Sequence, residues 1–171
     1  MKHFTSPVIL FLFFSFAFPQ TKLGKDIDGA AEDDDFGSSV SMSSDGSRVA
    51  IGGPYNIGYG DYEGHVRVYE YSNGVWGKVG NDIIGAYEYD YSGDAVSLSS
   101  DGSRVAIGAM LGSNEDGDFP GNVRIFEFSN GVWTQVGADI YGEEEDDLFG
   151  YSVSMSSDGS RVAIGASGND S

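Results

Sequence analysis

The 171-residue chain has no cysteine, two histidines and few basic side chains. Without cysteine, disulfides and thiol chemistry are excluded, so stability must come from packing. Nine Lys and Arg are set against 27 Asp and Glu, for a formal net charge of −18. Nucleic acid and anionic membrane surfaces would repel such a chain and are excluded as partners. Cations, neutral glycans and basic proteins remain open.

Long apolar runs are also scarce, and the one that exists lies at the N-terminus. Val8–Phe18 follows a short start that includes Lys2, and the small residues Ser15 and Ala17 suit a signal peptidase. Eleven residues are too few to cross about 30 Å of hydrocarbon, although a membrane anchor is the alternative. We therefore expect a signal peptide over residues 1–20. The mature protein would be secreted or held at the cell surface, with no membrane insertion after cleavage.

A long internal repeat is the most informative feature of the chain. The decapeptide S-S-D-G-S-R-V-A-I-G occurs three times, at Ser43–Gly52, Ser99–Gly108 and Ser156–Gly165, with spacings of 56 and 57 residues. A period of this length, filled with short alternating strands and glycine turns, is typical of a modular β-protein whose units stack on one another. No stretch has the period of a helix.

Each repeat unit contains four predicted strands, joined by short turns. In the first unit they cover about Ser38–Ser43 (a), Arg48–Gly52 (b), His65–Tyr71 (c) and Val75–Val79 (d). Four antiparallel strands per unit predict an all-β fold of the β-propeller type, with one blade per unit. A parallel β-helix is the structural alternative.

The ends of the repeat predict an incomplete ring. Thr21–Gly29 aligns with 77–85 and with 134–142, so residues 21–29 are expected to form a leading outer strand d. The remaining units cover about 36–91, 92–148 and 149–171, which gives the strand order d-abcd-abcd-ab. A closed ring usually needs four or more blades. We expect residues 21–171 to be part of a larger propeller, or else to complete the ring with other copies.

Short motifs in the units carry a family resemblance. Phe36-Gly37 is followed by Gly52-Gly53-Pro54, and Phe149-Gly150 by Gly165-Ala166-Ser167, whereas the middle unit has Ser92-Gly93 and Ala109-Met110. The pattern resembles the FG-GAP repeat of integrin-α-like β-propellers. With "DIDG", "SVSLSSDGSRVAIGA" and "GHVRVYEY…GVW", residues 21–171 are similar to secreted FG-GAP-type proteins of marine Bacteroidetes. The resemblance implies about seven blades in the full-length molecule, displayed outside the cell and used for binding.

Calcium is a further implication of the resemblance, because many FG-GAP units hold the ion in an Asp-x-Asp-x-Asp-Gly loop between strands a and b. The corresponding turns here keep one acid each, Asp45, Asp101 and Asp158. Since Ca²⁺ takes six to eight oxygen ligands, we expect ordinary hairpin turns and no cofactor.

The connections on one side of the predicted blades hold most of the acidic side chains. The d-to-a segments include Glu32–Asp35 and Glu143–Asp147, and the b-to-c segment Pro54–Tyr62 and the segment Tyr87–Tyr91 combine tyrosines with carboxylates. Loops that vary on a constant frame often carry recognition, so an extracellular glycan or protein is the expected partner. Two alternatives remain: the tyrosines pack over blade seams while the acids solvate the loops, or the acidic runs bind divalent cations loosely.

Residues that recur in every unit are expected to serve the fold. Trp76 and Trp133 are interpreted as packing anchors, and Arg48, Arg104 and Arg161 as ion-pair partners or stems over apolar surface. The only histidine of the mature chain, His65, is replaced by Asn122 in the next unit, and no nucleophile or phosphate-loop motif is present. We therefore expect a binding or adhesion module without catalytic activity and assign no catalytic, metal or ligand residue. An architectural repeat protein and a polysaccharide-active enzyme fragment are the alternatives.

Overall fold

The predicted all-β class is confirmed. A computed structural model describes residues 21–57, 61–114 and 117–169, and this part of the chain contains strands and turns but no helix. Accordingly, the described residues hold no helical segment of the length and apolarity needed to cross a membrane. The predicted signal peptide, residues 1–20, lies outside the described residues.

The first sheet contains five strand segments that all pair in antiparallel fashion. They are β1 (Ser39–Met42), β2 (Arg48–Gly53), β3 (His65–Ser72), β4 (Val75–Lys78) and β5 (Ile83–Ile84). The first four agree closely with the predicted strands a to d. Both β4 and β5 pair with β3, one with each end of it, so the outer strand is interrupted once.

The interruption in the outer strand places Asp82 against β3. The Arg67 guanidinium lies 2.7 Å from the Asp82 carboxylate, and Lys78 lies 2.5 Å from the other oxygen of the same group. A regular strand would place Asp82 in the ladder, whereas the break lets it accept from both cations. The short strand β5 follows directly and resumes the pairing.

The second sheet repeats the first, and the third contains two described strands. The second sheet has β6 (Ala95–Leu98), β7 (Arg104–Ala109), β8 (Asn122–Ser129), β9 (Val132–Gln135) and β10 (Ile140–Tyr141), and the third has β11 (Phe149–Met155) and β12 (Val162–Ala166). Every strand pairing is antiparallel. The alternative of a parallel β-helix is therefore wrong for the described residues, because its coils would pair in parallel.

Each sheet has one face of small residues on its first two strands and one face of large residues. In the first sheet, Ala50 lies on the same face as Val66 and Val68, and all three are fully buried. They pack against the large face of the second sheet, which includes Ile107 and Phe126. Both faces of the second sheet are covered by neighbouring sheets, so the core of the described protein lies between consecutive sheets.

Hydrogen bonds join the first strands of consecutive sheets. The Leu98 amide donates to Ser41 Oγ at 2.9 Å, and the Met155 amide donates to Ser97 Oγ at 2.9 Å. The serines of β1 and β6, which alternate with larger apolar residues, therefore satisfy edge amides of the next sheet. The same contact occurs at both sheet interfaces, so the sheets stack in one repeated orientation.

Two of the three recurrent arginines, Arg48 and Arg104, are confirmed as ion-pair partners. Arg48 contacts Glu70 at 3.0 Å, and Arg104 contacts Glu127 at 2.8 Å. Arg48 also donates to the Gly102 carbonyl in the turn of the next sheet, and its guanidinium lies 5.1 Å from the ring centre of Phe128. These arginines thus stabilise their own sheet and its neighbour together.

The leading strand expected over residues 21–29 is absent, since no strand is assigned to this segment. Each of the other outer strands pairs with the strand c that precedes it in its own sheet. The described residues contain no strand c before residues 21–29, so this segment has no such partner. It is instead held by Trp76, whose Nε1 donates to the Leu23 carbonyl at 3.1 Å. Trp133 makes the equivalent bond to the Val79 carbonyl at 2.9 Å, so the segment does occupy the place of an outer strand.

Candidate functional site

The b-to-c and d-to-a connections meet along one rim, which we call the loop face; its described residues are 54–57, 61–64, 85–92, 110–114, 117–121 and 142–149. Backbone hydrogen bonds hold the connections together. The Tyr89, Tyr91 and Ser92 amides donate to the carbonyls of Asp61, Tyr62 and Glu63 at 2.7, 3.1 and 2.9 Å. The next pair of connections has the equivalent of the Ser92 bond, in which the Phe149 amide donates to the Pro120 carbonyl at 3.1 Å. The structure thus brings two of the predicted d-to-a segments, Tyr87–Tyr91 and Glu143–Asp147, to a common rim with the b-to-c connections.

Four tyrosines form a cluster where the first two units meet on the loop face. The rings of Tyr55, Tyr62, Tyr89 and Tyr91 lie 5.2 to 6.2 Å apart between neighbouring centroids. Tyr62 stacks on Tyr91 at 19°, and Tyr55 contacts both of them edge-on. Tyr55, Tyr62 and Tyr89 are about two-fifths exposed. The cluster therefore combines ordered rings with an accessible surface.

Two phenols of the tyrosine cluster, Tyr89 and Tyr91, have raised pKa values. Tyr89 Oη donates to Asp61 Oδ2 at the long distance of 3.5 Å, and the negative charge of Asp61 raises the pKa of Tyr89. Burial raises the pKa of Tyr91, with a further contribution from neighbouring Tyr55. Both phenols are thus neutral and able to donate at neutral pH.

One aspartate in each acidic connection points inward and holds the backbone. Asp34 accepts from the amides of Ala30, Ala31 and Phe36 at 2.6 to 3.1 Å. The equivalent residue Asp90 is fully buried and accepts from the amides of Ala86, Tyr87 and Ser113. Asp147, in the third position, accepts from the Glu144 amide and the Asn169 side chain. The neighbours of each aspartate adopt a positive φ, such as 64° at Asp33 and 51° at Asp35.

These inward aspartates bear on the hypothesis of cation binding by the acidic runs. The buried aspartates of the runs Glu32–Asp35 and Glu143–Asp147 already accept hydrogen bonds from backbone amides. Their carboxylates are therefore not directed at a shared cation position. Among residues 21–57, 61–114 and 117–169 no three His, Asp or Glu side chains are grouped as a metal site. Burial raises the pKa of Asp90 more than its hydrogen bonds lower it.

The acids of the a-to-b turns are structural. Asp45 Oδ1 accepts from Ser43 Oγ at 2.7 Å and from the Ser47 amide at 2.9 Å, while Gly46 adopts a φ of 73°. The Ser47 amide and the Ser43 hydroxyl lower the pKa of Asp45 to about 2. Asp101 and Asp158 repeat the arrangement. The expectation of ordinary hairpin turns is confirmed.

His65 and Trp133 lie inside the protein, and Trp76 is partly exposed. His65 is fully buried and stacks on Phe36 at 5.6 Å and 9°, and burial lowers the pKa of its imidazole. Trp133 is 4% exposed, while Trp76 is half-buried. Their interpretation as packing anchors is confirmed, and His65 does not contribute to the loop-face surface.

Asp94 is a residue of this region that sequence reasoning missed. Its amide donates to the Tyr91 carbonyl, yet one of its carboxylate oxygens is buried without a hydrogen-bond partner. Burial raises the pKa of Asp94 to about 6, although the Met110 amide opposes the shift. The available sequence signal was its repeat position, which is Ser38 in the first unit and Tyr151 in the third.

Asp94→Asn is expected to stabilise the protein at neutral pH. The folded pKa of about 6 exceeds the ordinary value of 3.8 for an aspartate, so the folded carboxyl binds its proton more tightly than the unfolded one. Stability is therefore lost as pH rises from about 4 to above 6, by up to about 3 kcal/mol. The variant should melt higher than the natural protein at pH 7.5 and equally at pH 3.5.

The control for Asp94→Asn is Glu88→Gln, which removes an exposed carboxylate from the same connection. Its melting temperature should match that of the natural protein at both pH values. A gain for Asp94→Asn that is equal at pH 3.5 and 7.5 would show that the buried charge is not its cause.

Comparison with known proteins gives a limited result. No protein-family model and no curated protein matches the chain. Among solved structures, a chain of Kuenenia stuttgartiensis hydrazine synthase is similar at 18% identity with a TM-score of 0.49. The match covers 74% of this chain and 36% of that chain, so this chain spans about a third of its length. At this TM-score the likeness carries no argument about function.

Proposed function

We propose that the chain is a secreted or cell-surface binding module of the β-propeller type, related to the FG-GAP repeat proteins and without catalytic activity. Antiparallel sheets of a four-strand pattern, stacked in one orientation through their first strands, support a partial propeller. Recognition takes place on the loop face, and the tyrosine cluster is its central element. Export through residues 1–20 belongs to the same proposal.

The observation that carries this proposal is that the tyrosine cluster occurs at only one of the two described seams. The positions equivalent to Tyr55, Tyr62, Tyr89 and Tyr91 at the next seam are Leu111, Phe119, Asp146 and Leu148. The connections at the second seam are joined without those rings by two equivalent backbone hydrogen bonds, from the Gly142 amide to the Gly121 carbonyl and from the Phe149 amide to the Pro120 carbonyl, both at 3.1 Å. The fold therefore does not require the four tyrosines, which favours a role in binding.

Chemistry of the cluster favours a neutral glycan as the ligand. Tyrosine offers an apolar ring face and a phenol that donates and accepts, which suits the alternating C–H and hydroxyl groups of a sugar. The nearby carboxylate of Asp61 can accept a sugar hydroxyl. A net charge of −18 disfavours sulfated or uronic acid polymers, since these are themselves anionic.

Tyr55→Ala should reduce binding to a neutral polysaccharide about tenfold, as expected for one aromatic contact of about 1.4 kcal/mol. Affinity electrophoresis against a β-glucan, a mannan and a galactan measures the change, with calorimetry on the polymer that retards the natural protein. Tyr55 suits the test because it is 41% exposed and contacts Tyr62 and Tyr91.

Phe119→Ala is the matched control, since Phe119 is an aromatic residue of the loop face with 42% exposure at the next seam. It should leave binding unchanged. Equal losses for Tyr55→Ala and Phe119→Ala, or no retardation by any neutral polymer, would contradict the proposal and favour an architectural repeat protein. Release of reducing sugar from any of the polymers would instead favour the enzyme alternative.

A further inference from the structure

Tyr89 occupies a backbone position that disfavours a tyrosine. Its φ is 65°, in the left-handed region. For a residue with a large side chain this conformation is an outlier, whereas aspartate, asparagine and glycine adopt it more readily. The equivalent residues of the other two d-to-a connections are Asp33 and Asp146, each with a φ of 64°. The fold thus requires the left-handed conformation at this position, and Tyr89 is the large side chain among the three residues that adopt it.

The side chain of Tyr89 makes little packing that could offset this strain. It is 45% exposed, and its hydroxyl lies at the long distance of 3.5 Å from the Asp61 carboxylate. The backbone holds this connection to its neighbour, because the Tyr89 amide donates to the Asp61 carbonyl at 2.7 Å. Any residue other than proline supplies that amide. The geometry of the connection therefore does not depend on a tyrosine side chain.

Tyr91, two residues further on, is a useful contrast. Its φ is 54°, and its counterpart Leu148 in the next d-to-a connection has the same value. Both side chains are half-buried, so packing can offset the strain at this position. At the position of Tyr89 the counterparts are aspartates and the tyrosine is exposed. Burial therefore explains Tyr91 and does not explain Tyr89.

The other three rings of the tyrosine cluster contact one another without Tyr89. Tyr55, Tyr62 and Tyr91 are joined pairwise, with ring centroids 5.2 to 6.2 Å apart. Tyr89 contacts this group through Tyr62, at 5.9 Å and an angle of 35°. Its ring lengthens the exposed surface of the cluster and is not needed to hold the other rings together.

The spacing of the rings determines how a sugar can be bound. A sugar inserted between two aromatic rings would contact each ring at about 3.5–4.0 Å, which requires about 7–8 Å between the rings. Neighbouring centroids of the cluster lie 5.2 to 6.2 Å apart, so these rings leave no such slot. A sugar must therefore lie on the outer surface, which the exposed parts of Tyr55, Tyr62 and Tyr89 provide. An open surface several rings long suits consecutive sugars of a chain better than a single sugar.

We propose that Tyr89 is a ligand-contact residue, which extends the binding surface of the tyrosine cluster along a neutral polysaccharide chain and is retained in a strained conformation for this contact. The inference rests on the proposed function of the loop face and deepens it, because it names an internal stretch of polysaccharide as the ligand. Strained backbone positions concentrate where binding requires them. Binding and stability are thus opposed at this residue.

Tyr89→Asn tests both sides of this opposition. Asparagine tolerates a positive φ and carries no aromatic ring, so the variant should melt at the temperature of the natural protein or above it. Its affinity for whichever of the β-glucan, the mannan and the galactan retards the natural protein should fall about tenfold, as for one aromatic contact. In calorimetry with fragments of that polymer, the natural protein should bind the hexasaccharide more tightly than the disaccharide. The variant should lose most of that gain.

Asp146→Tyr and Asp146→Asn are the matched pair for the backbone argument. Both remove the same exposed carboxylate from the equivalent position, but only Asp146→Tyr places a large side chain at a φ of 64°. Asp146→Tyr should melt about 2–4 °C below Asp146→Asn, the shift expected for such strain in a protein of this size. Equal melting temperatures for the pair would overturn the proposal, because the position would then not disfavour tyrosine.

The outcomes for Tyr89→Asn distinguish this inference from the proposed function. A melting temperature below that of the natural protein would show that the ring serves the fold, and would overturn the inference. Unchanged affinity of Tyr89→Asn, or equal affinity of the natural protein for the two fragments, would also overturn it, and the proposed function would stand if Tyr55→Ala weakens binding. A natural protein that binds none of the three polymers would overturn the proposed function and the inference together.

Discussion

Trp133→Ala is expected to lower the free energy of unfolding by about 3–5 kcal/mol, the range for removal of a large aromatic residue from a core. Trp133 is 4% exposed and belongs to the cluster between the first two sheets. It packs on Phe128 at 5.2 Å between ring centres, and its Nε1 donates to the Val79 carbonyl of the preceding sheet. The substitution thus removes packing from both sheets and leaves the partly buried Val79 carbonyl without the Trp133 donor.

Trp76→Ala is the matched control for Trp133→Ala. Trp76 holds the same repeat position and the same kind of bond, to the Leu23 carbonyl, but it is half-buried and lies outside the core cluster. The decrease in the free energy of unfolding for Trp76→Ala should be less than half of the decrease for Trp133→Ala. Urea titration followed by far-ultraviolet circular dichroism measures both, and equal losses would show that the sheet interface is not where Trp133 acts.

Most of the secondary structure could be predicted because its signals are local and repeated. The strands a to d followed from alternation and from the turn Ser44–Ser47, and the structure places β1 to β4 within about a residue of them. β5 was missed because a strand of two residues leaves no pattern. It depends on Asp82, whose pairing with Arg67 across the interruption is a tertiary contact.

No strand is assigned to the predicted leading strand, for a physical reason. Residues 21–29 share the sequence of an outer strand, but a strand requires a partner with free backbone groups. The alignment correctly indicated that residues 21–29 contact Trp76, whose side chain donates to the Leu23 carbonyl. It did not indicate whether the segment forms the backbone hydrogen bonds of a strand. Repeat position thus determines packing more reliably than hydrogen bonding at the end of a stack.

The candidate site was predictable in place and not in detail. The sequence indicates that the tyrosines lie on connections of one rim, whereas their clustering depends on backbone bonds such as that from Tyr91 to Tyr62. In the acidic runs nothing local distinguishes the buried Asp34 from its exposed neighbours Asp33 and Asp35. The distinction comes from the positive φ of those neighbours, which turns the side chain of Asp34 back onto three amides.

Gly108→Ala is the second substitution with a large expected effect, a loss of about 3 kcal/mol or more in the free energy of unfolding. A Cβ at Gly108 would overlap the Gly150 carbonyl oxygen of the next sheet, which is backbone and cannot rotate away. The second and third sheets would have to separate, and the contact between Met155 and Ser97 would be lost with them. Thermal unfolding should show a lower melting temperature.

Gly165→Ala separates this clash from the general effect of replacing a glycine in a strand. Gly165 occupies the same repeat position, but a Cβ there would approach only the Ser152 side chain, which can change rotamer. Its free energy of unfolding should stay within about 0.5 kcal/mol of the natural value, or rise slightly because alanine restricts the unfolded chain. A loss as large as that of Gly108→Ala would mean that these glycines are required within each sheet, whereas a difference would show that close approach between sheets selects them.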